Sequence, residues 1–167
     1  MSDLDDELFI SLFGNGDQVL DPVRNATAVS VETGVQILEV RSRIGQARFS
    51  AAIKELYGSK CCFPSCGISD DRFLVGSHIA RWSDNEKLRG EMGNGLCLCL
   101  VHDKAFESGM FTLDQHLRVF VNPKEMVSDS EISRSLLAHH GKVINVSKVK
   151  PLEDALLEHW IRVGVEP

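Results

Sequence analysis

The sequence predicts an α+β fold, in which helical segments flank a middle region of short strands and turns. Three observations carry that prediction. Apolar residues recur at helical spacing on both sides of the middle region, short apolar runs alternate with turn residues across it, and close cysteine and histidine pairs bracket it. The expected organisation is an N-terminal segment of unassigned role over residues 1–40, a core domain over 41–121 and a C-terminal helical extension over 122–167.

Leu4, Leu8, Phe9, Leu12 and Phe13 share one helical face with acids in the first turn, and the Gly14-Asn15-Gly16-Asp17 run stops that helix. Residues 18–40 fit either two strands, at Ala28 to Val31 and Val35 to Val40, or a second helix starting near Ser30. From Arg41 to Tyr57, the residues Ile44, Phe49, Ala52, Ile53 and Leu56 define a helix that Gly58 ends, with Arg41, Arg43, Arg48 and Lys54 at its polar positions. Such a face is either simply solvated or suited to lie along a phosphate backbone.

Phe73 to Ile79 reads as one strand, broken or bulged at Gly76. Ser83 to Arg89 reads as a polar loop or a single helical turn, and Leu96 to Leu100 is a short apolar run that feeds a helix near Val101 to Ser108, ended by Gly109. Met110 to Leu113 and Leu117 to Val121 flank Asp114-Gln115-His116 as a hairpin. Two further helices are expected at Ser128 to His139 and at Pro151 to Val163, the second with proline at its start.

Hydrophobic content of 43% is enough for a buried core, and a net charge of −6 argues against a protein that coats nucleic acid by bulk positive charge. A local cationic groove remains compatible with it, because acidic metal ligands lower the total. No apolar stretch is long enough to span a membrane. The start, Met1-Ser2-Asp3-Leu4-Asp5-Asp6-Glu7, is acidic where a secretory leader would be basic and then apolar, so a cytoplasmic protein is expected. Its five cysteines would then be reduced, and close pairs read as metal ligands rather than disulfides.

Two such pairs stand out. Cys61 and Cys66 bracket a turn containing Pro64 and Ser65, and Cys99 and His102 sit at the entry to the expected helix. Thiolate and imidazole are donors that Zn²⁺ prefers, and four of them close a tetrahedral structural site. Cys62 competes with Cys61 for the first position, and Cys97, two residues from Cys99, would face the same side of an extended run. The plainer alternative is that these cysteines are small buried hydrophobes.

Between the pairs lie His78, in Ser77-His78-Ile79-Ala80-Arg81-Trp82, and Asn94, in Asn94-Gly95-Leu96-Cys97-Leu98-Cys99. His102-Asp103-Lys104-Ala105-Phe106-Glu107-Ser108-Gly109 follows. This order of strand histidine, loop asparagine and helix ligands inside a zinc frame resembles the HNH endonuclease family over residues 41–121. The resemblance implies a zinc-stapled ββα-metal core.

It further implies that His78 is the general base that activates water, and that Asn94 fixes the loop and orients the histidine by hydrogen bonding. A divalent cation such as Mg²⁺ would stabilise the phosphorane. With His102 assigned to zinc, Asp103 becomes the active-site ligand where other members carry a second histidine. Glu107, four residues on, shares its helical face and offers a second hard oxygen. Ser77 departs from the pattern, since many members place an aspartate or histidine before the base. Arg43, Arg48, Arg81 and Lys104 are the candidate DNA contacts. Trp82 reads as packing beneath the loop, and His139, His140 and His159 as structural or solvent-facing.

The expected function is a metal-dependent DNA endonuclease, in restriction or phage defence, acting as a homodimer where both strands are cut. The alternative is a degenerate zinc module that binds nucleic acid or a protein partner. A redox protein with free or oxidised thiols and no zinc is a third reading.

Overall fold

The computed structural model describes residues 45–128 and 130–167. The expected helix at 4–13, the segment 18–40 and Arg43 lie outside the described residues. Four helices and four strands make up the described part, with short 3-10 turns between them: α1 (Gln46–Leu56), β1 (Leu74–His78), β2 (Gly95–Cys99), α2 (Leu100–Glu107), β3 (Phe111–Leu113), β4 (Val119–Val121), α3 (Glu131–Leu137) and α4 (Glu153–Val163). The fold is α+β, and β1, β2 and α2 form a ββα unit.

β1 and β2 pair antiparallel in an unbroken register from Leu74↔Cys99 to His78↔Gly95. The bulge expected at Gly76 is therefore absent; Gly76 pairs regularly with Cys97. The glycine answers a different need. A Cβ there would come within 2.6 Å of the Ser50 Cα, so only glycine lets α1 lie directly on the strand. Gly95 opposite His78 serves the same packing, since its Cβ would collide with Ile53. The Gly76 amide also donates to Ser50 Oγ at 2.9 Å, which pins α1 in place. Phe49 and Ile53, one helical turn apart, bury the inner face of α1 against this surface.

β3 and β4 form the expected hairpin, with Asp114 Oδ1 accepting from the His116 and Arg118 amides to shape the turn. The C-terminal segment lies against the core. Ala155, Leu156 and His159 of α4 are buried, and Trp160 Nε1 donates to the Leu113 carbonyl at 2.8 Å. His159 bridges Thr112 Oγ1 at 2.8 Å and the Phe106 carbonyl at 3.2 Å, joining α4 to β3 and α2. Gly109 adopts φ 76° after α2, the left-handed conformation that glycine tolerates, and lies against Val163. No helix among the described residues is long and apolar enough to cross a membrane.

Candidate active site and metal centre

The turn after α1 and the start of α2 bring four donors together. The Cys66 amide donates to the Phe63 carbonyl at 3.1 Å, and Ser65 takes φ 60°, so the chain folds back and both Cys61 and Cys66 face one point. Cys99 ends β2 in extended conformation and caps α2, so His102 returns to the same side within its first turn. The donor atoms of Cys61, Cys66, Cys99 and His102 all lie within 4.8 Å of one another.

Individual spacings fit a tetrahedral ion. Zn–S bonds near 2.3 Å and Zn–N bonds near 2.0–2.1 Å give edges of about 3.8 Å between sulfurs and about 3.6 Å from sulfur to nitrogen. The structure has 4.0 Å from Cys66 Sγ to Cys99 Sγ, with His102 Nδ1 at 3.5 Å from Cys61 Sγ and 3.2 Å from Cys99 Sγ. The Cys99 amide points at Cys61 Sγ, 3.2 Å away, a contact that stabilises a thiolate. Phe63 stacks on the His102 ring with centroids 3.9 Å apart and fixes its orientation. Cys62 and Cys97 are buried outside the quartet, so the competing positions fall to Cys61 and Cys99.

Burial pushes the Cys61 and Cys99 thiols above their ordinary range and holds His102 down at about 4, with His139 adding to the effect on the imidazole. Thiols and an imidazole whose charged forms burial disfavours gain little from being crowded together. A bound Zn²⁺ gives that donor set a purpose, because the cation favours the thiolates that burial disfavours.

About one strand away, His78, Asp103, Glu107, Arg81, Trp82 and Ser77 line a cavity of about 510 Å³. His78 Nε2 lies 3.1 Å from the Arg89 carbonyl. A carbonyl only accepts, so Nε2 carries the proton and the ring lone pair sits on Nδ1. The ring stacks on Phe49 at 3.8 Å and meets Trp82 edge-on at 5.9 Å. Trp82 thus packs against the histidine, and the Arg89 guanidinium covers its other surroundings at 5.3 Å from the ring centroid.

Asn94 is buried, and its amide is fully engaged with main chain. Oδ1 accepts from the Ala80 amide at 2.8 Å, while Nδ2 donates to the Ala80 carbonyl at 3.1 Å and the Leu88 carbonyl at 2.9 Å. It locks the loop on both sides, and its grip on Leu88 sits one peptide before the carbonyl that meets His78. Any orienting effect on the histidine therefore passes through backbone.

Asp103 and Glu107 face the same cavity, as their helical spacing implies. Their surroundings differ from that of the quartet. Glu107 Oε1 accepts from Arg81 Nε at 2.6 Å, and Oε2 lies 3.3 Å from Arg162 Nη2, so each carboxylate oxygen faces a guanidinium. Among the described residues, the Cys/His quartet is the one gathering of three or more metal-donor side chains. Arg48 is exposed and lines a neighbouring cavity with Phe49 and Trp82, and Lys104 is exposed on α2. Arg162, on α4, escaped the sequence reading because no local motif surrounds it.

Residues 61–114 match the HNH endonuclease family. The matched span runs from Cys61 to the turn of the β3–β4 hairpin, and so contains the quartet, His78 and Asn94. A solved structure described as a modification-dependent TagI restriction endonuclease is similar in fold to this chain, at 19% identity and a TM-score of 0.50. The likeness covers 70% of this chain and 37% of that one. No curated protein matches the chain.

Proposed function

We propose that this chain is a metal-dependent endonuclease that hydrolyses DNA phosphodiester bonds, in restriction of foreign or phage DNA. The observation that carries the reading is His78, held by the Arg89 carbonyl so that its lone pair lies on Nδ1, at the wall of a cavity shared with Asp103 and Arg81. The family of the core and the restriction-enzyme neighbour support it.

In this reading His78 Nδ1 takes a proton from water as the water oxygen bonds to phosphorus and the bond to the 3′ oxygen breaks. The imidazolium so formed strengthens its Nε2–H bond to Arg89, and the Phe49 stack keeps the ring from turning. Asn94 holds the loop that carries both partners. Arg81, Arg48 and Lys104 are the proposed phosphate contacts, with Arg43 beyond the described residues. A divalent cation would supply charge stabilisation at the phosphorane. Asp103 is the carboxylate that fits such a cation, since Mg²⁺ is commonly held by one or two carboxylates with water and substrate phosphate. Glu107 fits less well, because two arginines already face it. The quartet of Cys61, Cys66, Cys99 and His102 holds structural zinc.

Ser77 in place of a metal-binding residue, and the engagement of Glu107, favour a second reading: a zinc module that binds nucleic acid or a protein without cutting. Plasmid nicking by the full chain with Mg²⁺, Mn²⁺ or Ni²⁺, set against EDTA, separates the two. The expected result is metal-dependent nicking that His78→Ala lowers by about a hundredfold or more. Undiminished cleavage by His78→Ala would remove the base assignment. DNA retention without cleavage under any metal would favour the binding module.

A further inference from the structure

Glu107 is divided between two arginines of different surroundings. Arg81, three residues after His78, is about half exposed at the cavity, with its Nε and Nη2 both on Oε1. Arg162 comes from α4, more than forty residues beyond the family match, and its side chain is 13% exposed. Its Nη1 donates to the Glu107 carbonyl at 2.8 Å, and its Nη2 lies 3.3 Å from Oε2 as an ion pair without hydrogen-bond geometry. Burial lowers the pKa of Arg162, and the Glu107 carboxylate opposes that shift.

A buried guanidinium that served only to tie α4 to α2 could do so through the carbonyl alone. Here it also contacts the carboxylate, on the oxygen that Arg81 does not use. A hydrogen bond to the main chain and an ion pair to the side chain of the same residue together bias Glu107 to this position. Oε1 then fixes Arg81 through Nε and Nη2. Among the described residues none takes Arg81 Nη1, which leaves that donor for a phosphate oxygen.

We infer that Arg162 is a positioning residue: it holds Glu107, and Glu107 holds Arg81 as the phosphate-binding guanidinium beside His78. Glu107 then serves as an arginine holder and not as a ligand of the catalytic cation. The inference rests on the nuclease reading for the identity of the phosphate, and on its own geometry for the relay.

The test uses Arg81→Ala, Arg162→Met and their double variant in the full zinc-loaded chain, with melting temperature as the control for folding. Duplex DNA affinity is measured against NaCl concentration in EDTA, and plasmid nicking is measured with Mg²⁺ or Mn²⁺. Each single variant is expected to lower the salt slope by about one phosphate contact and the nicking kcat by about tenfold or more, with no further loss in the double variant. A merely structural role for Arg162 would instead add to the Arg81 effect. If Arg162→Met does not fold, Arg162→Lys carries the test, because it keeps the charge and loses the two-point grip.

An Arg162 variant that is folded and matches wild type in slope and rate overturns the relay, as does additivity in the double variant. If that result accompanies wild-type nicking that His78→Ala abolishes, the nuclease reading stands alone. A shared loss of slope in a chain that never nicks would keep the relay and end the cleavage reading. A wild-type chain that neither retains nor nicks DNA would end both.

Discussion

The Cys/His quartet and the histidine cavity are both built around one ββα unit, yet on opposite plans. The quartet is compact: four donors, in two pairs each held by one local turn, converge on a point, with Cys61 and Cys99 buried and Cys66 and His102 partly so. The cavity is open, and its groups are gathered from α1, β1, the following loop, α2 and, through Arg162, α4. Of its two carboxylates, Glu107 is shared with arginines. A structural metal needs a full coordination sphere from the protein, whereas a catalytic one needs vacant positions for substrate.

The largest effect that probes this contrast is on zinc. Cys99→Ala is expected to abolish stoichiometric zinc, read by elemental analysis, and with it the cooperative thermal transition. Structural zinc sites contribute on the order of 10 kcal/mol to folding. A Cys99→Ala chain that melts like wild type would break the comparison, because the quartet would then be only a cluster of buried thiols.

Next comes Asn94→Ala, expected to lower stability by about 2–4 kcal/mol in a denaturant titration. It leaves the Ala80 amide and carbonyl without their partner, removes one of the two donors to the Leu88 carbonyl, and loosens the loop behind His78. Zinc content should stay unchanged. Loss of zinc in this variant would show that the two sites are not separate.

An effect that is smallest at neutral pH and grows with acid concerns the seam that carries α4, and so Arg162, to the cavity. Burial, reinforced by the charge of Arg162, holds His159 down at about 3, below the 6.5 of an unfolded histidine. The unfolded chain therefore binds the extra proton, and stability falls as pH drops from about 6.5 towards 3 at up to about 1.4 kcal/mol per pH unit. His159→Gln should flatten that part of the stability–pH curve. An unchanged slope would mean that the seam does not carry the acid sensitivity.

The two regions were also unequally legible in the sequence. Cys61, Cys66, Cys99 and His102 were readable because each pair is held by a single local turn, so linear spacing fixes geometry. The one local ambiguity, Cys62 and Cys97 against their neighbours, needed the register of β2 and the fold of the turn to resolve. Gly76 shows the converse. In sequence it suggested a bulge, but its cause is Ser50 of a helix twenty-six residues earlier.

The sequence by itself determined the α+β class, the helix and hairpin placements over the described residues, the members of the Cys/His quartet and the candidacy of His78 and Asn94. All of these depend on periodicity or on short-range turns. The tertiary structure decided which nitrogen of His78 carries the proton, through the Arg89 carbonyl, and what surrounds the Asp103–Glu107 face. It also brought Arg162 to Glu107 across fifty-five residues. Contacts of that span depend on how helices dock on the sheet, and docking is set by the whole buried surface, which no local pattern encodes.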